Sequence, residues 1–573
     1  MGRENIIGLF NQNFKIIDEV LWNVFRKNEM GDVLLPFMVL RRLDCMLEPT
    51  KDLVLKTHQD FREKLGEDRL MPLLKKSAGY SFYNTSRYNF SNLCQDEPNL
   101  ALNFSNYRNS YSENVRDIIE NFQFDKVIDR LIKNKLLYQV ISHMATIDLG
   151  PTKVDNHDMG YLFEEMIRIS NEQSNETAGE HFTPRDVVEL MTEIVIGNDK
   201  DTLNQEGLIR TIYDPCCGTG GLLMFGKSHI QEKINEKVKV EIFGQEANEQ
   251  SYAIAKSDLL ITGEDSENIK HGNTLTEDQF PHKKFNYMLA NPPYGVNWKK
   301  DKAFIDAESL NPAGRFSIGL PRVSDGQMLF ILHMLSKMDP AGCRIGIVTS
   351  GSPLFTGDAG SGESEIRRYL IENDLVEAIV GMPGDLFYNT GIGTYVWFIC
   401  NNKTLARKGK IQLINAAQLA TPEKKSLGNK RNKLAASNRA ELKKVYSEFK
   451  ETEISKIYPN EHFGYLNIPV EQPMLNNNGE LVLDKKGNIQ PDSKLRDSER
   501  VALTVDPEIY FKKEVKPHLP SAWFDYNNAR IGYEINFTKY FYKYQPLRLV
   551  DEIISDLKKL ESESDGLFNQ LMN

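Results

Sequence analysis

Asp214-Pro215-Cys216-Cys217-Gly218-Thr219-Gly220-Gly221 decides the fold. It follows the β-branched run Thr211-Ile212-Tyr213 and opens an apolar stretch over 220–234, so it reads as a strand-to-helix turn. Glycines there permit a tight bend and let a ligand approach the backbone closely. A tight turn without a ligand is the plainer reading of this stretch alone. Working outward, Val238–Phe243, Tyr287-Met288-Leu289, Arg344–Val348, Val376–Val380 and Thr394–Cys400 read as buried strands, and 249–262, 326–338 and 363–372 as helices between them. Such alternation predicts an α/β fold, a mostly parallel sheet covered on both faces, with ligands bound beyond the carboxyl ends of the strands.

The flanks differ. Residues 1–150 read as a helical domain: Phe14, Ile17, Leu21, Val24 and Phe25 recur at helical spacing, and a second helix is expected to start near Pro36. Residues 151–402 form the α/β domain, and 403–573 a C-terminal extension. That extension holds a basic run over 421–450, a hairpin about Leu481-Val482-Leu483 between Asn478-Gly479 and Gly487-Asn488, and a terminal helix with Val550, Ile553, Ile554, Leu557 and Leu560 on one face. The basic run is either a solvated face or a phosphate contact. The terminal helix serves either a partner or internal packing.

Composition narrows the classes. The chain has 573 residues with 26% charged and 40% hydrophobic, too apolar for global disorder and long enough for about three domains. No run approaches the roughly 18 apolar residues of a membrane span, and mean hydropathy is −0.45. Met1-Gly2-Arg3-Glu4-Asn5-Ile6 lacks a secretory pattern, and the six cysteines include no CxxC, so a reducing cytoplasmic compartment and no metal site are expected. A formal net charge of −10 argues against a solitary, tight nucleic-acid binder, because phosphate neutralisation supplies most non-specific affinity.

Two further patterns bear on chemistry. Gly221–Ser228 matches the phosphate-loop pattern GxxxxGK[ST], yet Leu222-Leu223-Met224-Phe225 belongs to a helix already under way rather than to an open loop of N–H groups, so nucleotide binding is rejected. Asn291-Pro292-Pro293-Tyr294 follows the strand Tyr287–Leu289, 77 residues after Asp214. Its prolines fix a rigid turn and remove two donors. The Asn291 side-chain oxygen and the Pro292 carbonyl can accept both hydrogens of one planar amino group, while Tyr294 offers a face for a flat ring.

Together these segments resemble S-adenosylmethionine-dependent amino-methyltransferases, the DNA adenine-N6 enzymes above all. Gly179-Glu180-His181-Phe182-Thr183-Pro184-Arg185, Leu354-Phe355-Thr356-Gly357-Asp358-Ala359-Gly360 and Gly532-Tyr533-Glu534-Ile535-Asn536-Phe537 narrow the likeness to the modification subunit of type I restriction–modification systems, over nearly the whole chain. The resemblance implies a Rossmann-like class I methyltransferase core with a helical N-terminal domain and an α+β/helical C-terminal extension. It implies that Asp214, Pro215, Gly218, Thr219 and Gly220 form the S-adenosylmethionine turn, that Glu246 holds the ribose hydroxyls, and that Asn273 and Thr274 meet the adenine. Thr183, read as an N-cap before Pro184, is expected to bring a helix terminus to the methionine carboxylate, with His181 and Phe182 as walls.

The implied reaction is methyl transfer to adenine N6 in double-stranded DNA. Asn291 and Pro292 would localise the amine lone pair, Pro293 would stiffen the turn, and Tyr294 would stack on the flipped base. The implied partners are a specificity subunit that reads the target, two modification subunits to each specificity subunit, and a restriction subunit; no membrane is involved. Alternatives are transfer to protein glutamine N5 or cytosine N4, or a non-catalytic scaffold.

Overall fold

The computed structural model describes residues 19–26, 29–156, 158–160, 162–163, 165–166, 183–205, 207–388, 391–427, 429–483, 486–542 and 549–572. The turn at Asp214 sits where the sequence puts it, between β1 (Ile209–Asp214) and the helix Gly221–Lys233. Around it lie β2 (Lys239–Glu246), β3 (Ile269–His271), β4 (Tyr287–Ala290), β5 (Arg344–Ser350), β6 (Val376–Gly381), β7 (Thr394–Cys400) and β8 (Lys410–Asn415). Further on come β9 (Thr421–Leu427), β10 (Lys430–Lys433) and β11 (Ser455–Pro459). Nine of these make one sheet in the order β11-β8-β6-β7-β5-β4-β1-β2-β3.

β1 pairs parallel with β2 and β4, as do β2 with β3, β4 with β5 and β6 with β8. Every residue of β4, β5 and β6 is buried, as expected for strands covered on both faces. β7 runs antiparallel between β5 and β6. The cause is local: residues 382–393 contain no described helix to carry a parallel crossover, so the chain turns back as a hairpin. β8 and β11 lie past residue 402 yet join the same sheet, so this layer continues to Pro459.

The N-terminal region is helical. Its helix Met30–Leu47 is buried along almost its whole length, with Phe37 edge-on to Phe124 at 4.9 Å. Its core continues onto Ala253, Ile254, Leu260 and Ile261 of the helix Glu249–Thr262, which seats the helical region on the sheet's flank. The helix starts before Pro36, not at it; Met30, Val33 and Leu34 already bury their side chains at helical spacing. Phe14 and Ile17 lie outside the described residues.

After β11, β12 (Gly464–Glu471), β13 (Asp497–Ala502), β14 (Trp523–Phe524) and β15 (Arg530–Tyr533) form a small antiparallel sheet around Ile468, Val470, Val501 and Phe524. Leu481 and Leu483 bridge Leu475 and Ile489, so the sequence hairpin is two short turns sharing one arm, with Gly479 and Gly487 both at positive φ. Arg367, fully buried, ties this sheet to the core by donating to the carbonyls of Tyr533, Pro353 and Thr356. That clamp explains the Leu354–Gly360 segment as a docking loop. Residues 536–573 form a separate compact unit, whose helix Val550–Met572 carries exposed Val550, Ile553, Ile554, Leu557 and Leu560.

Candidate active site

Backbone geometry explains the glycines of the Asp214 turn. Gly218 and Gly220 adopt φ +54° and +86°, the left-handed region that side chains resist, and Gly220 is the N-cap of the following helix. Asp214 Oδ1 accepts the Cys216 N–H at 2.9 Å, Cys217 N–H reaches the Gln245 carbonyl at 3.0 Å, and Gly218 N–H donates to Glu246 Oε2 at 2.8 Å. Thr274 Oγ1 donates to the Pro215 carbonyl. The turn is thus strapped to the ends of both β2 and β3.

Asp214 itself is 1% exposed, and its Oδ2 is a buried oxygen with no hydrogen-bond partner among the described residues. Burial lifts the carboxyl to about 7, against the pull of the Cys216 hydrogen bonds and helped by the charge of Glu246. Burial also drives the Cys216 and Cys217 thiols well up, with Asp214 and Glu246 adding to the effect, so neither is a ready nucleophile.

The Asn291 turn comes to the same place. Tyr213 in β1 faces Met288 in β4, so Asp214 stands level with Leu289 and Asn291 lies two residues further along the neighbouring strand. Both line one cavity of about 730 Å³, together with Thr183, Gly218 and Thr219. Asp155, Asn156 and Phe163 also line it. Arg42 of the N-terminal helix holds that segment, donating to the Val154 carbonyl at 2.7 Å and to Asn156 Oδ1 at 2.8 Å.

Tyr294 is buried, with its hydroxyl on Asn291 Oδ1 at 2.5 Å and its ring edge-on to Phe387 at 6.4 Å. Burial pushes its phenol far above the ordinary range, so it stays a donor. It orients the Asn291 amide as well as flanking it, and one lone pair of Oδ1 is left for a ligand. Pro292 is buried and Pro293 half-buried beside it; among the described residues nothing donates to the Pro292 carbonyl.

The other predicted residues divide. Thr183 lines the cavity but does not cap: the helix Arg185–Val195 begins a residue later, with Pro184 at the cap position and ψ 136°. Glu246 accepts N–H groups on both oxygens, from Gly218 and from Asn248 at 2.7 Å. Asn273 Oδ1 accepts the Leu275 N–H at 3.0 Å. Thr274 is buried against the turn, a strap rather than a cavity wall. His181 and Phe182 lie outside the described residues.

One network is invisible in the sequence. Arg315 donates to the carbonyls of Thr274 at 2.8 Å and Leu275 at 2.9 Å, forks onto Glu308, and reaches His333 Nδ1 at 3.0 Å. Since Arg can only donate, Nδ1 accepts and the ring proton sits on Nε2, 3.0 Å from the Tyr213 hydroxyl. Burial, then the Arg315 and Lys337 charges, hold His333 well below its usual range, so it is neutral. The loop after the Asn291 turn thereby fixes the loop after β3. No motif signals it, because the partners are brought together only by the fold.

Residues 154–463 match the family model described as N-6 DNA methylase, and residues 11–144 match the HsdM N-terminal domain. The chain belongs to the N-6 DNA methylase family. Among similar proteins, a type I restriction enzyme methylase subunit of Methanocaldococcus jannaschii is 27% identical over 59% of this chain and 56% of its own length. One from Haemophilus influenzae is 29% identical over 46% of this chain and 54% of its own. The chain therefore spans about half the length of the curated relatives it matches. The crystal structure of a type I restriction–modification methyltransferase subunit from Streptococcus thermophilus shares the fold, with a TM-score of 0.61 at 22% identity, covering 78% of this chain and 95% of that one. The N-6 DNA methylase match ends at 463, just past the last strand of the nine-stranded sheet at Pro459, and includes both turns of the cavity. Among the described residues no helix of this family member is long and apolar enough to cross a membrane.

Proposed function

We propose that this chain transfers a methyl group from S-adenosylmethionine to the N6 amine of adenine in double-stranded DNA. The observation that carries this reading is the shared cavity, in which an unpartnered Asp214 oxygen and the Asn291 amide lie on neighbouring strand ends. The residues suit the donor. The buried Asp214 Oδ2 is an acceptor in want of a cationic donor, which the methionine ammonium supplies. The Gly218–Gly220 turn lets the methionine portion lie against backbone, Glu246 offers its carboxylate to the ribose hydroxyls, and Asn273 meets the adenine. When bound, S-adenosylmethionine supplies an electrophilic methyl group on a sulfonium.

The chain's own residues do the rest. An exocyclic amine is a weak nucleophile because its lone pair is delocalised into the ring. Asn291 Oδ1 and the Pro292 carbonyl accept its two hydrogens, pull the lone pair out of conjugation and stabilise the positive charge that grows on nitrogen. Tyr294 holds the Asn291 amide in that orientation. The target base is reached by flipping it out of the duplex.

The three-part division expected at 150 and 402 belongs to the same reading with its second boundary moved past the last strand of the sheet at Pro459, as do the partners. A specificity subunit reads the site, two copies of this chain serve each such subunit, and a restriction subunit joins them in the cytoplasm. The exposed apolar stripe from Val550 to Leu560 supports a helical partner contact. The test is transfer of a radiolabelled methyl group from S-adenosylmethionine to DNA, with the chain alone and co-expressed with a specificity subunit. Label in N6-methyladenine is expected; label in protein glutamine or in cytosine overturns the substrate.

Arg315 gives a second check. Arg315→Met frees the Thr274–Leu275 carbonyls and is expected to raise the KM for S-adenosylmethionine about tenfold with kcat changed far less, given charge-assisted bonds of about 1.5–3 kcal/mol each. Arg315→Lys should not restore it, since an ammonium cannot hold Glu308 and two carbonyls in one plane. An unchanged KM would leave the network without a role in donor binding.

A further inference from the structure

Part of the basic run over 421–450 turns its charge inward. Lys430 pairs with Asp186 at 3.3 Å, Arg439 with Glu189, and Lys443 with Glu193 at 3.3 Å. These acids recur along one face of the helix Arg185–Val195, so the run is a seam between that helix and Ala436–Glu448. Lys433 pairs with Glu423 at 3.1 Å. A duplex would have to compete with the protein for these cations.

Other cations lie on the segment that leaves the Asn291 turn. The chain leaves the Asn291 turn through Trp298, which is 3% exposed and donates from its indole to the Arg322 carbonyl at 3.0 Å. Gly326 N–H returns to the Val296 carbonyl at 3.1 Å, and Gln327 and Ser350 at the end of β5 exchange hydrogen bonds of 2.7 and 2.9 Å. This neck is therefore pinned at the carboxyl edge of β4 and β5, beside the cavity. Immediately after the Trp298 anchor come Lys299 and Lys300, both exposed and, among the described residues, without an ion-pair partner. Arg322, half-exposed, donates to Ser352 Oγ at 3.0 Å and lies 3.8 Å from the Asp325 carboxylate.

We propose that Lys299 and Lys300, with Arg322, grip the phosphates of the DNA strand whose adenine enters the cavity. The inference rests on the proposed DNA substrate and adds the surface that receives its backbone. A flipped nucleotide keeps its flanking phosphates outside the cavity, so cations on a pinned neck that continues the Asn291 turn are placed to meet them. In a chain of net charge −10, local clusters of cations such as Lys299 and Lys300 decide where a polyanion can dock.

The test is fluorescence-anisotropy binding of a labelled random-sequence duplex to the full chain over a salt series. At about 0.9 counterion per phosphate contact, Lys299→Ala/Lys300→Ala is expected to make the slope of log K against log salt shallower by about 2, with at least tenfold weaker binding at low salt. S-adenosylmethionine affinity and thermal unfolding should be unchanged, and Lys299→Arg/Lys300→Arg should keep the wild-type slope. Arg439→Ala should lower thermal stability and leave the slope alone. An unchanged slope in the folded double alanine variant overturns the proposal, as does loss of specificity-subunit co-purification with an unchanged slope, which would assign the patch to an acidic protein face. The readout is binding, so a wild-type protein that transfers no methyl group overturns the methylation reading while the slope difference still decides the grip.

Discussion

Asn291→Ala is expected to lower kcat by two to three orders of magnitude, about the loss seen when one preorganised charge-stabilising group is removed from an active site. Donor affinity should stay within about twofold, because the methionine and ribose contacts proposed here come from the Asp214 turn and Glu246. The side chain makes its contribution only as the amine becomes positively charged, so the defect belongs in kcat rather than in either KM. The variant also strands the Tyr294 hydroxyl, now 2.5 Å from its acceptor, at a stability cost of about 1–3 kcal/mol. Tyr294→Phe separates the two effects: it removes the donor, keeps Asn291 Oδ1, and should cost activity about tenfold at most. Single-turnover methyl transfer with saturating donor measures both. A fully active Asn291→Ala enzyme would end the mechanism.

What could be read from the sequence, and what could not, follows from the range of the interactions. β1, the turn and its helix were legible because alternation, glycine placement and apolar runs are local signals, and Asp214 and Asn291 share a cavity because each ends a strand of one sheet. Thr183 misses the cap by one residue because the extended ψ of Pro184 delays the helix, a shift below the resolution of pattern reading. The antiparallel β7 was hidden because a buried strand looks alike in either direction; only the lack of a crossover helix after Gly381 gives it away. β8 and β11 join the sheet from beyond residue 402 through pairings whose partners lie far apart in the chain. The acidic partners of Lys430, Arg439 and Lys443 come from a helix more than 200 residues away, so three cations of a run that resembles a nucleic-acid patch are neutralised internally. Tyr294 reads as a ring that stacks on the flipped base; its burial and the hydrogen bond of its hydroxyl to Asn291 are not legible in the sequence.

Donor binding is expected to weaken about tenfold for each pH unit below about 7, and to be flat above it. The sign follows from Asp214. Burial holds its carboxyl up to about 7 in the ligand-free protein, against an ordinary value of 3.8, and only the ionised form can receive the methionine ammonium. Binding therefore expels a proton whenever the pH lies below about 7, and calorimetry in buffers of different ionisation enthalpy should detect that release. Asp214→Asn keeps an acceptor for the Cys216 N–H, removes the charge, and should flatten the pH profile while lowering affinity at pH 8 by about ten- to a hundredfold. Stability runs the other way. A carboxyl with a raised folded value favours the fold only while protonated, so its contribution is full below 3.8 and is lost as the pH climbs towards about 7. The ligand-free Asn variant should then unfold at a higher temperature than the wild type at pH 8 and by a smaller margin at pH 5, while the donor should protect the wild type far more than the variant. An affinity that does not change between pH 8 and pH 6 in the wild type would mean that the buried oxygen of Asp214 is not where the ammonium binds. Opposite signs for the ligand-free and donor-bound proteins distinguish a binding carboxylate, kept buried and unpaired for its ligand, from one that merely braces a turn.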